Sequence, residues 1–217
     1  MAKVHTLRLP KGSAAFDNAF REGWPRDERE IESERTLANI HGTFYEVPFW
    51  IVGQSPLFTK MKPVCSHNKR IDDFATWRGL LWLSGVRSDA TESEHIIKSN
   101  DGKTALWAGG VDDLWKLGKP VGQGGPWKNT AVKGGIPSDP YLMNGYDKKT
   151  LTLKADRDCT IHMEIDFDLL SGFHRYMSFD LKADQELNYV FPTGFTAHWI
   201  RFVSASDATV TARLQYE

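Results

Sequence analysis

Cys159-Thr160-Ile161-His162-Met163-Glu164-Ile165-Asp166-Phe167-Asp168 is the stretch that decides the fold. Cys159, Ile161, Met163, Ile165 and Phe167 fall on one side of a period-two repeat. Thr160, His162, Glu164, Asp166 and Asp168 fall on the other. Strict alternation puts successive side chains on opposite faces of a strand, so this segment reads as a half-buried strand with one wet face. The pattern continues on both sides. KTLTLKAD from Lys149 places Leu151 and Leu153 together, and YMSFDLKA places Met177, Phe179 and Leu181 together. ELNYVFP, AHWIRFVSA and TVTARLQYE complete a set of six, with Asp, Gly and Ser in the turns between them. Short strands at a pitch near ten residues, with polar turns and no helical period, predict an antiparallel β-sandwich. Its expected core includes Ile161, Met163, Ile165, Phe179, Leu181 and Val210.

The segment before it, Leu106–Lys149, is rich in glycine and proline yet carries Trp107, Trp115 and Trp127. Glycine and proline oppose a long helix, while the indoles demand packing partners or a flat ligand. It reads as an ordered loop system, with a helical turn over Asp112–Leu117. One of its tryptophans is expected to pack where the two halves of the chain join. Further upstream, TLANIHGTFYEV (Thr36–Val47), the pair DDFATW and GLLWLSGV divided by Arg78-Gly79, and Thr104–Ala108 read as strands. A short helical turn is expected near Ala14–Phe20. Strands at this pitch suit propeller blades or a barrel. The expectation is therefore all-β: a blade-like or barrel-like antiparallel unit over residues 1–136, then a small antiparallel β-sandwich over 137–217.

The chain has 217 residues, a formal net charge of −1 and 41% hydrophobic residues, enough for a real core. No clustered basic block is present, which argues against nucleic acid as a partner. The mixed run RDEREIESER (26–35) reads as a solvated surface. No apolar stretch approaches a membrane span, and MAKVHTLRLPKGS lacks a signal-peptide core. Cys65 and Cys159 form no Cys-x-x-Cys motif and are expected to be unpaired. The seven histidines show no metal-ligand spacing, and no phosphate-loop or dinucleotide fingerprint occurs, so neither metal nor cofactor is expected.

Two motifs stand out for chemistry: His41-Gly42-Thr43-Phe44-Tyr45-Glu46 and Cys65-Ser66-His67-Asn68-Lys69-Arg70. Each sets a histidine at a turn beside hydrogen-bonding groups, where it can act as acid or base or simply satisfy backbone groups. His162, Glu164, Asp166 and Asp168 form an acidic stripe that reads as a solvated strand face.

The Leu106–Lys149 segment, the EIDFD strand and FPTGFTAHWIRFVS resemble the C-terminal part of a family of large, mostly uncharacterised bacterial proteins abundant in polysaccharide-degrading Bacteroidetes. WPR, HGTFYEVP and PVCSHNKRIDDFATWRGLLWLSGV resemble the last blades of the β-propeller those proteins carry. The resemblance implies a propeller followed by a sandwich in a carbohydrate-processing, secreted or periplasmic setting. At 217 residues the chain is too short for a full propeller. The resemblance assigns no catalytic residue to this chain. The expected function is a glycosidase, or part of one, acting on a complex polysaccharide or oligosaccharide. A noncatalytic carbohydrate-binding module or a structural, oligomer-forming domain is the alternative. Glycoside hydrolysis needs two carboxyl groups across the scissile bond. The catalytic candidates are His41, Glu46, His67, Asp72 and Asp73. Tyr45, Arg70, Asp112, Asp113, Trp115 and Trp127 are the candidate sugar contacts. Open sheet edges in so short a blade unit predict a homo-oligomer.

Overall fold

A computed structural model describes residues 6–13, 27–31, 35–48, 58–67, 69, 71–167 and 171–217. It is all-β, with four antiparallel four-stranded sheets and no closed barrel among the described residues. The chain divides into two compact units. One is Gly12–Pro120. The other joins Met1–Lys11 to Val121–Glu217. The expected boundary after residue 136 thus falls inside the C-terminal unit. Arg70, Asp168 and the turn expected near Ala14–Phe20 lie outside the described residues.

The N-terminal unit holds two sheets. β1 (Asp27–Ile31), β2 (Arg35–Ile40), β3 (Thr43–Val47) and β4 (Lys62–Ser66) run in plain up-and-down order, as the strands of a blade do. Part of the charged run read as a solvated surface forms β1, an edge strand of its sheet. The expected strand Thr36–Val47 is broken at His41-Gly42. Both have positive φ, 51° and 75°, which makes a two-residue hairpin turn matched to the twist of its strands. The second sheet contains β5 (Phe74–Trp77), β6 (Leu80–Val86), β7 (Ile96–Lys98) and β8 (Ala105–Gly109). Arg78-Gly79 forms the same kind of turn between β5 and β6, with φ of 52° and 76°. The spatial order is β5-β6-β8-β7, so this sheet departs from a blade's meander. Leu37, Phe44 and Cys65 from the first sheet share a core with Phe74, Leu81, Leu83 and Trp107 from the second. Phe44 meets Phe74 edge to face at 5.4 Å.

The C-terminal unit is a sandwich of eight strands: β9 (Gly122–Val132), β10 (Tyr141–Leu142), β11 (Lys149–Ala155), β12 (Cys159–Asp166), β13 (His174–Leu181), β14 (Glu186–Val190), β15 (Trp199–Ser204) and β16 (Ala208–Tyr216). One sheet runs β10-β15-β12-β13 and the other β14-β11-β16-β9. Following the chain, the strands fall into the two sheets in jelly-roll order. All six expected core residues are buried here. Phe167 is the exception to the alternation: β12 ends at Asp166, and Phe167 is 61% exposed. Asp166, expected on the wet face, is buried beside its register partner Trp199, also buried.

β9 is the strand that composition hid. GQGGPWKNTAV pairs with β16 along its length, with register shifts between Val210 and Ala212 and between Ala212 and Leu214. Gly125 sits where any Cβ would collide with the Ala212 carbonyl oxygen. The glycine is therefore a condition of the pairing, not a sign of a loop. β9 is an edge strand, so Pro126 interrupts no central ladder.

Candidate functional site

The 3-10 turn Val111–Leu117 organises the candidate site. In a 3-10 helix, side chains three apart eclipse one another. Val111, Leu114 and Leu117 form one row that faces the core, with Leu114 fully buried. Asp113 and Lys116 form a second row and an ion pair at 2.7 Å. Asp112 and Trp115 form the third. Because Leu114 anchors the turn, Trp115 stands out, 70% exposed. Apolar periodicity in LWKL explains the anchor. The indole left outside has no place in that core.

Asp112 and Trp115 line a groove of about 170 Å³ together with Glu46 of β3 and Lys62 of β4. Glu46 and Lys62 are cross-strand register partners. The groove therefore brings together three expected site residues, Glu46, Asp112 and Trp115, and adds Lys62, which the sequence reading did not select. A lysine beside a carboxylate one strand away gives no local sequence signal, because the register that pairs them is long-range.

The other expected residues have structural positions. His67 is 4% exposed. Its Nε2 lies 3.0 Å from Asn39 Oδ1 and its Nδ1 within 3.2 Å of the Lys69 carbonyl oxygen, while the ring packs on Phe44. Burial lowers its pKa from 6.5 to about 4, so the ring is neutral at physiological pH. His67 is thus a strut linking β2 to the segment after β4 and presents no catalytic face. His41 serves the hairpin turn, its carbonyl accepting from Gly12 N–H at 2.9 Å. Tyr45 is fully buried, so its ring belongs to the core and not to a ligand surface. Asp73 accepts from Phe74 N–H at 2.7 Å, and the backbones of Asp72 and Asp73 bond Ser84. Neither carboxylate lines the groove. Asp113 accepts from Gly110 N–H at 2.7 Å as well as pairing with Lys116, which holds its carboxyl below the usual range. Its role is to cap the turn. Trp127 is only 7% exposed and packs on Phe202 in the sandwich core at 6.1 Å, leaving no indole face for stacking. Trp107 likewise belongs to the N-terminal core.

On the sandwich, Glu164 is held by Arg201 at 2.7 Å, and His162 Nδ1 lies 2.8 Å from Ser178 Oγ. Both cysteines are free, and burial pushes the Cys65 thiol up to about 12. Among the described residues no cluster of three or more His, Cys, Asp or Glu is placed to hold a metal ion, and no helix is long and apolar enough to cross a membrane.

No protein-family model matches the chain, and no curated protein matches its sequence. A solved structure named "BiXyn10A CBM1 APO" is similar over 89% of this chain and 89% of that one, at 8% identity and a TM-score of 0.22. The likeness is too distant to carry an argument about fold or function.

Proposed function

We propose that the chain is a carbohydrate-binding protein whose sugar site is the Trp115 groove. The observation that carries this is an indole, 70% exposed, standing over a groove lined by two carboxylates and a lysine. An exposed aromatic face suits the apolar C–H face of a pyranose. Carboxylates accept from sugar hydroxyls and lysine donates to them. The resemblance to propeller-and-sandwich proteins of polysaccharide-degrading bacteria supports the same reading.

A second, catalytic reading rests on Glu46 and Asp112 lining one groove, since a glycosidase needs two carboxyl groups about 5–10 Å apart. Affinity electrophoresis against a polysaccharide panel, with a reducing-sugar assay on the same proteins, separates the two. The binding reading expects retardation of the parent, loss of it in Trp115→Ala, and no sugar release. Sugar release that disappears in Glu46→Gln and in Asp112→Asn would establish the catalytic reading instead. A parent retarded by no glycan, or a Trp115→Ala variant retarded like the parent, overturns the proposal. Among the described residues β7 ends its sheet as an edge strand, which supports self-association of the chain, and sedimentation velocity is the check: a monomer at all concentrations contradicts it.

A further inference from the structure

A second cavity in the N-terminal unit, about 790 Å³, lies apart from the Trp115 groove in its lining residues. Its volume falls within the range of small-molecule sites, about 300–1,000 Å³. Its half-buried apolar lining is Val86, Ile96 and Leu117, while Leu83 and Trp107, which also line it, are core residues. His95 stacks on Trp107 with ring centroids 5.0 Å apart and planes at 27°. Its Nδ1 lies 2.9 Å from the Ala108 carbonyl oxygen. A carbonyl can only accept, so Nδ1 carries the proton of that bond and the ring orientation is set by it.

Charge separates this cavity from the other. Among the described residues Lys69, Arg87 and Lys116 line it with one carboxylate, Asp89, and the Glu94 carboxylate lies 3.5 Å from Nε2 of His95, another lining residue. Arg87 already grips Asp89 through two bonds, at 2.8 and 2.5 Å. Lys116 reaches Asp113, which does not line the cavity. Exposed ion pairs of this kind are weak, so an incoming anion can exchange for either partner. Ser93 and Thr91 add hydroxyls at the wall. Half-buried apolar groups together with cations and hydroxyls fit a ring compound with one apolar face and an acidic substituent.

We propose that this cavity is a second ligand site and takes an anionic sugar, carboxylated or sulfated, its apolar face toward Val86, Ile96 and Leu117 and its acidic group among Lys69, Arg87 and Lys116. The test is isothermal titration with trigalacturonate, a sulfated carrageenan tetrasaccharide and, as the uncharged counterpart, β-1,4-galactotriose. At least one anionic oligosaccharide binds about tenfold or more tighter than galactotriose, and its affinity falls by at least about tenfold in Lys69→Gln/Lys116→Gln and at high salt. The arm that binds tells carboxylate from sulfate. Lys133→Gln/Lys182→Gln removes the same charge from the other unit and leaves binding unchanged, while circular dichroism confirms that both double variants fold. Equal affinity for galactotriose, indifference to Lys69→Gln/Lys116→Gln, an equal loss in Lys133→Gln/Lys182→Gln, or no binding of either anionic probe overturns the proposal.

Discussion

The two units differ in their tryptophans: among the described residues Trp127 and Trp199 of the jelly roll are buried, where the most exposed aromatic is Phe167 just past the end of β12, whereas the N-terminal unit exposes two indoles. In the jelly roll, Trp127, Tyr141, Tyr146, Phe179, Phe191, Phe202 and Tyr216 are buried in one core. In the N-terminal unit, Phe44, Phe74 and Trp107 are buried, but Trp115 and Trp77 are not, at 70% and 56% exposed. Trp77 carries the Arg78 guanidinium 4.6 Å from its ring. The difference teaches where to look for function. An aromatic inside a core is explained by packing, whereas a large exposed one needs another account. The N-terminal unit holds both cavities discussed above, and the jelly roll has cavities of about 320 and 370 Å³ of its own; the proposed function puts recognition on the two-sheet unit.

The contrast predicts that equal truncations have unequal effects. Phe202→Ala, fully buried against Trp127, is expected to cost about 3–5 kcal/mol in denaturant unfolding. A loss under about 1 kcal/mol would show that the jelly-roll core is not the packed body described.

Next in size is a pH effect confined to the other unit. Folded His67 stays neutral down to about pH 4, while the unfolded chain protonates it near 6.5. Between these values the unfolded state binds more protons, so stability falls as pH drops from 6.5 toward 4. The expected loss is about 3 kcal/mol across that window. His67→Gln should flatten this part of the stability profile, and an unchanged slope in that variant would remove His67 as its source.

Gly125→Ala follows, with an expected loss of more than about 1 kcal/mol, because its Cβ meets the Ala212 carbonyl where β9 and β16 pair. A melt equal to the parent's would mean that β9 has room the described pairing denies it. The smallest effect is Trp115→Ala: less than about 0.5 kcal/mol in stability, as for an exposed side chain. A large loss there would make Trp115 a packing residue and erase the contrast.

The jelly roll was the more legible unit. Its six later strands and core follow from alternation alone, because period two leaves Ile161, Met163 and Ile165 only one place to go. β9 and β10 were hidden. β9 is built of glycines needed for close approach, and those same glycines read as loop. β10 has only two residues. In the N-terminal unit the hairpin at Arg78-Gly79 and the turn at Asp112–Leu117 were readable from local chemistry. His41 reads as a turn position, but Thr36–Val47 reads as one β segment, and the split into β2 and β3 about that turn is not drawn from sequence. Of the candidate site, Glu46, Asp112 and Trp115 were legible as residue types. Their convergence depends on the 3-10 turn lying along β4, a long-range contact with no local signature. His67 misled because a histidine among serine, asparagine and lysine looks the same whether it is a strut or a base.

The most direct measurement is a hydrogen-exchange footprint of the chain with and without a saturating neutral oligosaccharide drawn from the best-binding glycan. Protection is expected in peptides spanning Lys62–Ser66 and Val111–Leu117, with the jelly-roll peptides unchanged. Protection centred instead on β12 and β13, or on β9 around Trp127, would place recognition on the jelly roll and contradict the division of labour between the two units.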